Sequence, residues 1–371
     1  MSELETTNAT EGAIVETSPR RTRHGGLDAL RALCALFVIV NHATFLPAGA
    51  GADAQWCTAV IYTIVFPAVP LFVMISGAFI LNRDKNRNAW AFYWHSIKKL
   101  FPLSAFMFLI YFCLYTNHPM HFIHGEEGLF SMLQQFCIWY GYGAAIPLWY
   151  ICMLPGLYLM VPFLVYLRQR TSLLVQGVLS AAFMALFFCE HCLHMWNLLH
   201  PLSAVSWLGY FWLGMFLMNL EKNKLLPSAK CVLWSALVVG ALLVVRTYFF
   251  ISQNENIYPH IEGYLQPSTF VLSGLLFILF AQLKNMRLHW VVAKFGEVSF
   301  LIYLTHILVL RVLRSIMFHC DLISRLHHDY TVSLLFTLSG VVITFLLSWG
   351  LHEMYNRVSS TAGAWFHRDR C

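Results

Sequence analysis

Apolar runs long enough to cross a bilayer recur along this sequence, and no other feature narrows its fold so far. A membrane-spanning helix needs about 20 mostly apolar residues. Such runs lie near 28–47, 56–81, 100–116, 148–167, 172–190, 204–220, 231–251, 267–283, 297–318 and 331–354. Backbone amides in hydrocarbon find no water, so each run must close its hydrogen bonds within a helix. The expected fold is an all-α integral membrane protein of about ten transmembrane helices. A further apolar run at 130–141 is too short to span and reads as re-entrant or interfacial. Composition agrees, with 58% hydrophobic and 11% charged residues. A soluble domain carries about 25% charged residues, so this chain has too few to cover a water-facing surface.

Basic residues orient the spans. With the N-terminus in the cytoplasm, the inner segments hold 19 of the 24 Lys and Arg and the outer loops hold one, Arg325. The remaining four, Arg31, Arg246, Arg311 and Arg314, lie within spans. An even number of spans with both termini cytoplasmic follows. The net charge of +6 is therefore topology, and nucleic acid is not an expected partner. The first 19 residues contain Glu3, Glu5, Glu11 and Glu16 and no apolar core, so they read as a tail rather than a signal peptide. The expected organisation is a disordered cytoplasmic tail over 1–27, a ten-helix membrane domain over 28–355 and a second cytoplasmic tail over 356–371. No internal repeat and no water-soluble second domain is evident. The ten Cys are scattered, several of them in apolar runs, and read as small apolar side chains rather than a disulfide framework.

Ionisable groups inside spans cost roughly 2.5–3.5 kcal/mol each at the bilayer centre on insertion scales and are functional candidates. The first span carries Arg31 and, eleven residues later, His42. Eleven residues at 100° come within about 20° of three turns, so the two share a helix face about 16 Å apart along the axis. Arg31 is near the cytoplasmic end and His42 in the outer half. Arg31 is either an anchor snorkelling to inner headgroups or part of a site. His42 is either satisfied by a neighbouring helix or a base, since an imidazole in an apolar site stays neutral. Arg246, Arg311 and Arg314 fall in the outer half, where they either meet outer headgroups or bind an anionic acceptor group.

Two further groupings look ligand-like. The segment Cys189-Glu190-His191-Cys192-Leu193-His194 has metal-type side chains at the end of a span, and the loop 117–147 carries His118, His121 and His124 with Glu126 and Glu127. Two thiolates at that span end would face an oxidising exterior, and no metal is assigned to either grouping. The loop reads as interfacial, with a bearing on an acceptor as the alternative.

Five segments in order carry a likeness. LDALRALCALFVIVNHA, VPLFVMISGAFIL with Ser76-Gly77, and LWYICMLPGLYLMVPFLV with Trp149, Tyr158 and Pro162 come first. FGEVSFLIYLTHILVL with Gly296, Ser299, Tyr303 and His306 follows, and then Glu353 near the end of the last span. Together they resemble the acyltransferase-3 family of integral membrane O-acyltransferases over most of residues 28–355. The resemblance implies transfer of an acyl group, most often acetyl, from cytoplasmic acyl-CoA to a hydroxyl of an extracytoplasmic glycan or lipid-linked saccharide. The implied location is a plasma (inner) membrane of bacterial type.

By the same resemblance His42 is the catalytic histidine and Arg31 helps hold the anionic donor. Ser76, Glu297, Tyr303, His306 and Glu353 are supporting candidates. Lys98 and Lys99, in SIKKLFP, stand where the family's basic donor-binding motif is usually arginine-rich. Lysine keeps the charge for a phosphate but lacks the bidentate fork. Glu353 is followed by Met-Tyr-Asn rather than by the family's usual nearby Pro. A polysaccharide exporter or flippase without acyl-transfer chemistry is the rival reading, since ten helices also suit a conduit.

Overall fold

The computed structural model describes residues 24–43, 51–115, 149–192, 203–253, 264, 266–320 and 322–368, with the side chains of 99, 108, 112–115, 152, 186–192, 203–206, 327–328 and 358–368 left out. These residues form helices and turns, and no strand occurs among them. In chain order the helices are α1 (Gly25–Ala43), α2 (Ala52–Val65), α3 (Ala68–Ile80), α4 (Ala89–Tyr115), α5 (Trp149–Arg170), α6 (Leu173–Cys192) and α7 (Ser203–Lys222). They continue with α8 (Ala229–Gln253), α9 (Pro267–Ala281), α10 (Trp290–Glu297), α11 (Ser299–His319), α12 (Ile323–His328) and α13 (Tyr330–Arg368). A short 3-10 turn, Asp84–Arg87, links α3 to α4.

Every apolar run singled out as a span is helical, yet six stretches among the described residues are long and apolar enough to cross a membrane. They are Gly25–Ala43, Ala52–Ile80, Trp149–Arg170, Ala229–Gln253, Ser299–His319 and Tyr330–Arg357. Leu173–Ala185 and Pro267–Ala281 are apolar but shorter. α7 carries Trp207, Tyr210 and Trp212, whose amphipathic rings add little hydropathy although all three are fully buried. The run 56–81 is two helices, because Pro67 cannot donate the amide that a continuous helix would need there. The run 297–318 is one helix from Ser299 onward, and the short helix α10 precedes it, ending at Glu297 with Val298 at the joint. α13 stays helical to Arg368, through most of the stretch expected as a tail. The tail before residue 24, the loop 117–147 and the run 130–141 lie outside the described residues.

α1 is the hub. It packs on α2, α3, α9, α10, α11 and α13, and its buried residues, among them Leu27, Leu30, Cys34, Ala35, Val38 and Ile39, run around most of its circumference. A helix apolar on all sides belongs inside a bundle. The tightest neighbours are α3 and α7, where two glycines oppose two backbones. A Cβ on Gly77 would strike the Phe211 carbonyl, and one on Gly214 would strike the Met74 carbonyl. Lipid tails are as apolar as leucine, so such close van der Waals approach, rather than a hydrophobic drive, holds membrane helices together. Cys34, Cys57, Cys231 and Cys320 are free, and Cys34 is buried on α1.

Candidate active site

α11 is fixed against its neighbours at one turn. The Tyr111 hydroxyl, from α4, donates to the Leu304 carbonyl at 2.9 Å and accepts from the Leu308 amide at 3.2 Å. These are the two ends of one helical step, so the hydroxyl is set into the ladder of α11. From the other side Thr305 and Ser348 of α13 share a hydroxyl hydrogen bond of 2.9 Å. The turn so held carries His306, which is fully buried.

His306 Nδ1 lies 2.7 Å from the Tyr303 carbonyl and 3.2 Å from the Ile302 carbonyl. A carbonyl only accepts, so Nδ1 carries the proton and Nε2 is left with a lone pair. Nε2 is buried and has no hydrogen-bond partner among the described residues. The ring next to it is His42, 5.2 Å away between centroids and tilted by 43°. The Arg314 guanidinium donates to the His42 carbonyl at 3.1 Å, joining α11 to the C-terminal end of α1. No carboxylate among the described residues forms an ion pair with His42.

His42 lines a narrow cavity open to solvent, with room inside for about one water-sized group. Val38 and Asn41 of α1, Val65 of α2 and Ala68 and Val69 of α3 form much of the wall. Trp149 of α5, Tyr264 before α9 and Tyr303 of α11 complete it. Asn41 and Tyr264 hydrogen-bond through their side chains, and the Tyr264 ring lies 5.9 Å from Trp149. Small aliphatic groups thus face aromatic and polar ones, with the imidazole among the latter. The lining, if not the space, has the apolar and aromatic make-up with a few polar groups that small-molecule sites share.

Arg31 stands toward the other end of α1. Its guanidinium pairs with Asp28 at 3.2 Å and lies over the Phe79 ring at 5.6 Å. Tyr150 is within electrostatic reach of Arg31 and hydrogen-bonds with Ser76. The Tyr150 ring is 5.3 Å from Tyr303, whose ring is 5.7 Å from His306. A continuous file of polar and aromatic side chains therefore runs through the bundle from Arg31 to His42.

The other candidates fall into distinct groups. Tyr303 and His306 stand at His42, while Ser76 is met partway, at Tyr150. Glu297 and Glu353 gather around Lys294, which pairs with Glu353 at 2.8 Å and Glu297 at 3.5 Å. His352 adds a 3.0 Å contact to Glu297, and the Trp349 indole donates to Glu353 at 3.1 Å. Because Gly296 packs beside the Asp28 carbonyl, this cluster lies at the Arg31 end of α1 and not around His42. Its ion pairs hold the Lys294 pKa above the ordinary value, the Glu353 hydrogen bond being the main cause. Lys98 is exposed and lies over the Trp94 ring at 4.6 Å, and the Lys99 side chain lies outside the described residues.

Of the outer arginines, Arg246 and Arg311 are exposed and Arg314 is the one at His42. The side chains of Cys189 to Cys192, and His118, His121, His124 and His194, lie outside the described residues, among which no cluster suited to a metal occurs. Sequence reasoning passed over Tyr264 and gave Asn41 no role. Asn41 could have been noticed as a polar residue beside His42 in an apolar span, but Tyr264 sits in a polar connection with no periodic signal.

Comparison with known proteins bears on this geometry directly. The family model described as an acyltransferase domain matches residues 24–353, nearly the whole chain. No curated protein and no solved structure matches it. With the family model running from the start of α1 through Glu353, the chain belongs to the acyltransferase-3 family and is a membrane acyltransferase.

Proposed function

We propose that the protein is an O-acyltransferase that moves an acyl group, most simply acetyl, from cytoplasmic acyl-CoA to a hydroxyl of an extracytoplasmic glycan or lipid-linked saccharide. The observation that carries this reading is His42 at the wall of a cavity, joined to Arg31 by a file of side chains through the bundle. A donor on one side and an acceptor on the other require such a path. Ten spans with both termini cytoplasmic, in a plasma membrane, would put the Arg31 end inside and the His42 end outside, in keeping with the distribution of basic residues.

In this mechanism Arg31, with Lys98 and Lys99 at the inner face, holds the donor's anionic groups. The thioester extends along the file to the cavity. His42 accepts the proton of the acceptor hydroxyl as general base. The hydroxyl oxygen bonds to the thioester carbonyl carbon and the carbon–sulfur bond breaks. The proton held on His42 passes to the leaving thiolate, giving an O-acyl ester and free thiol. A covalent route through an acyl-histidine uses the same residue and ends in the same products.

The test is to incubate purified protein in nanodiscs with radiolabelled acetyl-CoA and a membrane extract supplying acceptors. Free thiol should appear in step with label in a saccharide fraction. A saccharide that changes sides of the membrane, with acetyl-CoA unconsumed, would sink this reading and favour an exporter.

A further inference from the structure

The pair His42 and His306 has a feature that the transfer mechanism does not use. His306 is absent from the cavity wall and stands behind His42. Its proton is committed to the Tyr303 carbonyl, and its Nε2 lone pair is buried without a partner among the described residues, in a ring whose neighbour is His42. A buried acceptor left unsatisfied loses the hydration it had in water and gains nothing in return. At 5.2 Å between centroids, two imidazoles with facing nitrogens come within hydrogen-bond range of about 3 Å.

We propose that His306 is a positioning residue for His42. Its Nε2 accepts a His42 ring N–H, so the other His42 nitrogen is unprotonated and faces the cavity. This inference rests on the proposed transfer reaction, in which that nitrogen takes the acceptor proton. A histidine base is commonly oriented by a carboxylate on its far nitrogen. Here the orienting group is neutral: Glu297 and Glu353 are engaged with Lys294 at the other end of α1, and Asp329, just before α13, is exposed and accepts from the Thr331 and Val332 amides. The neighbouring charge is Arg314, at the His42 carbonyl, which would oppose a second positive charge on the ring. A hydrogen bond into His306 offsets that by spreading the charge over two imidazoles. The hydroxyl contacts of Tyr111 and Ser348 around the His306 turn supply the rigidity such positioning requires.

The test compares His306→Leu with His306→Gln, whose amide oxygen takes the position of Nε2 and restores an acceptor. The Leu variant should lose roughly 100-fold in kcat with the donor KM changed by less than about 3-fold, and the Gln variant should recover to within about 10-fold of the parent. Equal losses in both, or full turnover in the Leu variant, would overturn the proposal. A second measurement needs neither turnover nor a folded Leu variant. In 15N-histidine-labelled wild-type protein, the His306 signals, assigned by their loss in the Gln variant, should show a protonated Nδ1 and an unprotonated, hydrogen-bonded Nε2. A protonated Nε2 would overturn the proposal whatever the kinetics. If wild-type protein transfers no acyl group in any assay, the transfer reading fails, while the nitrogen signals still decide whether His306 holds His42.

Discussion

His42 on α1 and His306 on α11 stand 5.2 Å apart between ring centroids, while Arg31, on the same helix as His42, lies toward its opposite end beside Asp28. α1 therefore carries a cation at one depth and, at another, an imidazole that pairs with one from α11. The file Arg31, Tyr150, Tyr303, His306 joins the two levels. Each expected outcome below tests one part of that arrangement.

Arg31 should serve the donor and not the chemistry. Arg31→Leu is expected to raise KM for acyl-CoA by about 10-fold or more, while single-turnover transfer at saturating donor changes little. Steady-state titration with acyl-CoA separates the two effects. An unchanged KM would leave Arg31 as a simple interfacial anchor.

Asn41 and Tyr264 share a hydrogen bond at the cavity wall beside His42. Asn41→Leu removes the polar partner without changing much volume and should lower kcat/KM for the acceptor by about 10-fold, as expected for one lost polar contact. Tyr264→Phe should have the same sense with a smaller effect. Acceptor titrations at fixed donor make the comparison.

Helices α3 and α7 approach through Gly77 and Gly214, each of which faces a backbone carbonyl that cannot move aside cheaply. Gly77→Ala or Gly214→Ala should therefore cost about 1–3 kcal/mol, the usual range for overpacking. Thermal unfolding in detergent, followed by the fluorescence of the buried Trp207 and Trp212, would register the loss. A melting temperature equal to the parent's would contradict the tight α3–α7 contact.

His24, just before α1, accepts from the Leu27 amide at 3.4 Å and is buried. Burial holds its pKa below the ordinary value, with Glu221 opposing and Lys284 adding to the effect. The unfolded chain therefore binds this proton more readily than the folded one. The stability contribution is complete above the unfolded value near 6.5 and is lost as pH falls through the lower folded value. His24→Gln should flatten the decline in melting temperature below that point, measured across a pH series in one detergent.

Much of this was legible in the chain, and the remainder has physical reasons. The spacing of Arg31 and His42 on one helix follows from periodicity alone, and the apolar runs found their helices. Where the run 56–81 reads as one span, Pro67 divides it, because hydropathy averages over the loss of one hydrogen bond. Among the described residues, six rather than ten stretches meet the length and apolarity of a span. In α7 the reason is aromatic content, and in α9 it is a helix of 15 residues. Glu297 and His306 sit nine residues apart in one motif, and nothing in that motif says that the first joins Lys294 while the second joins His42. That division depends on depth, which the axial rise of α11 sets and a motif does not record. Tyr264 was invisible because its partner, Asn41, is remote in sequence and only the packing of α1 brings the two together.

The most direct measurement of the central claim is acetyl-CoA turnover by wild type and His42→Ala side by side, in nanodiscs with an acceptor extract. Thermal melting should confirm that both are folded and inserted. The account predicts free CoA and labelled saccharide from wild type and a loss of at least about 100-fold in the variant. Turnover in His42→Ala equal to wild type would contradict it.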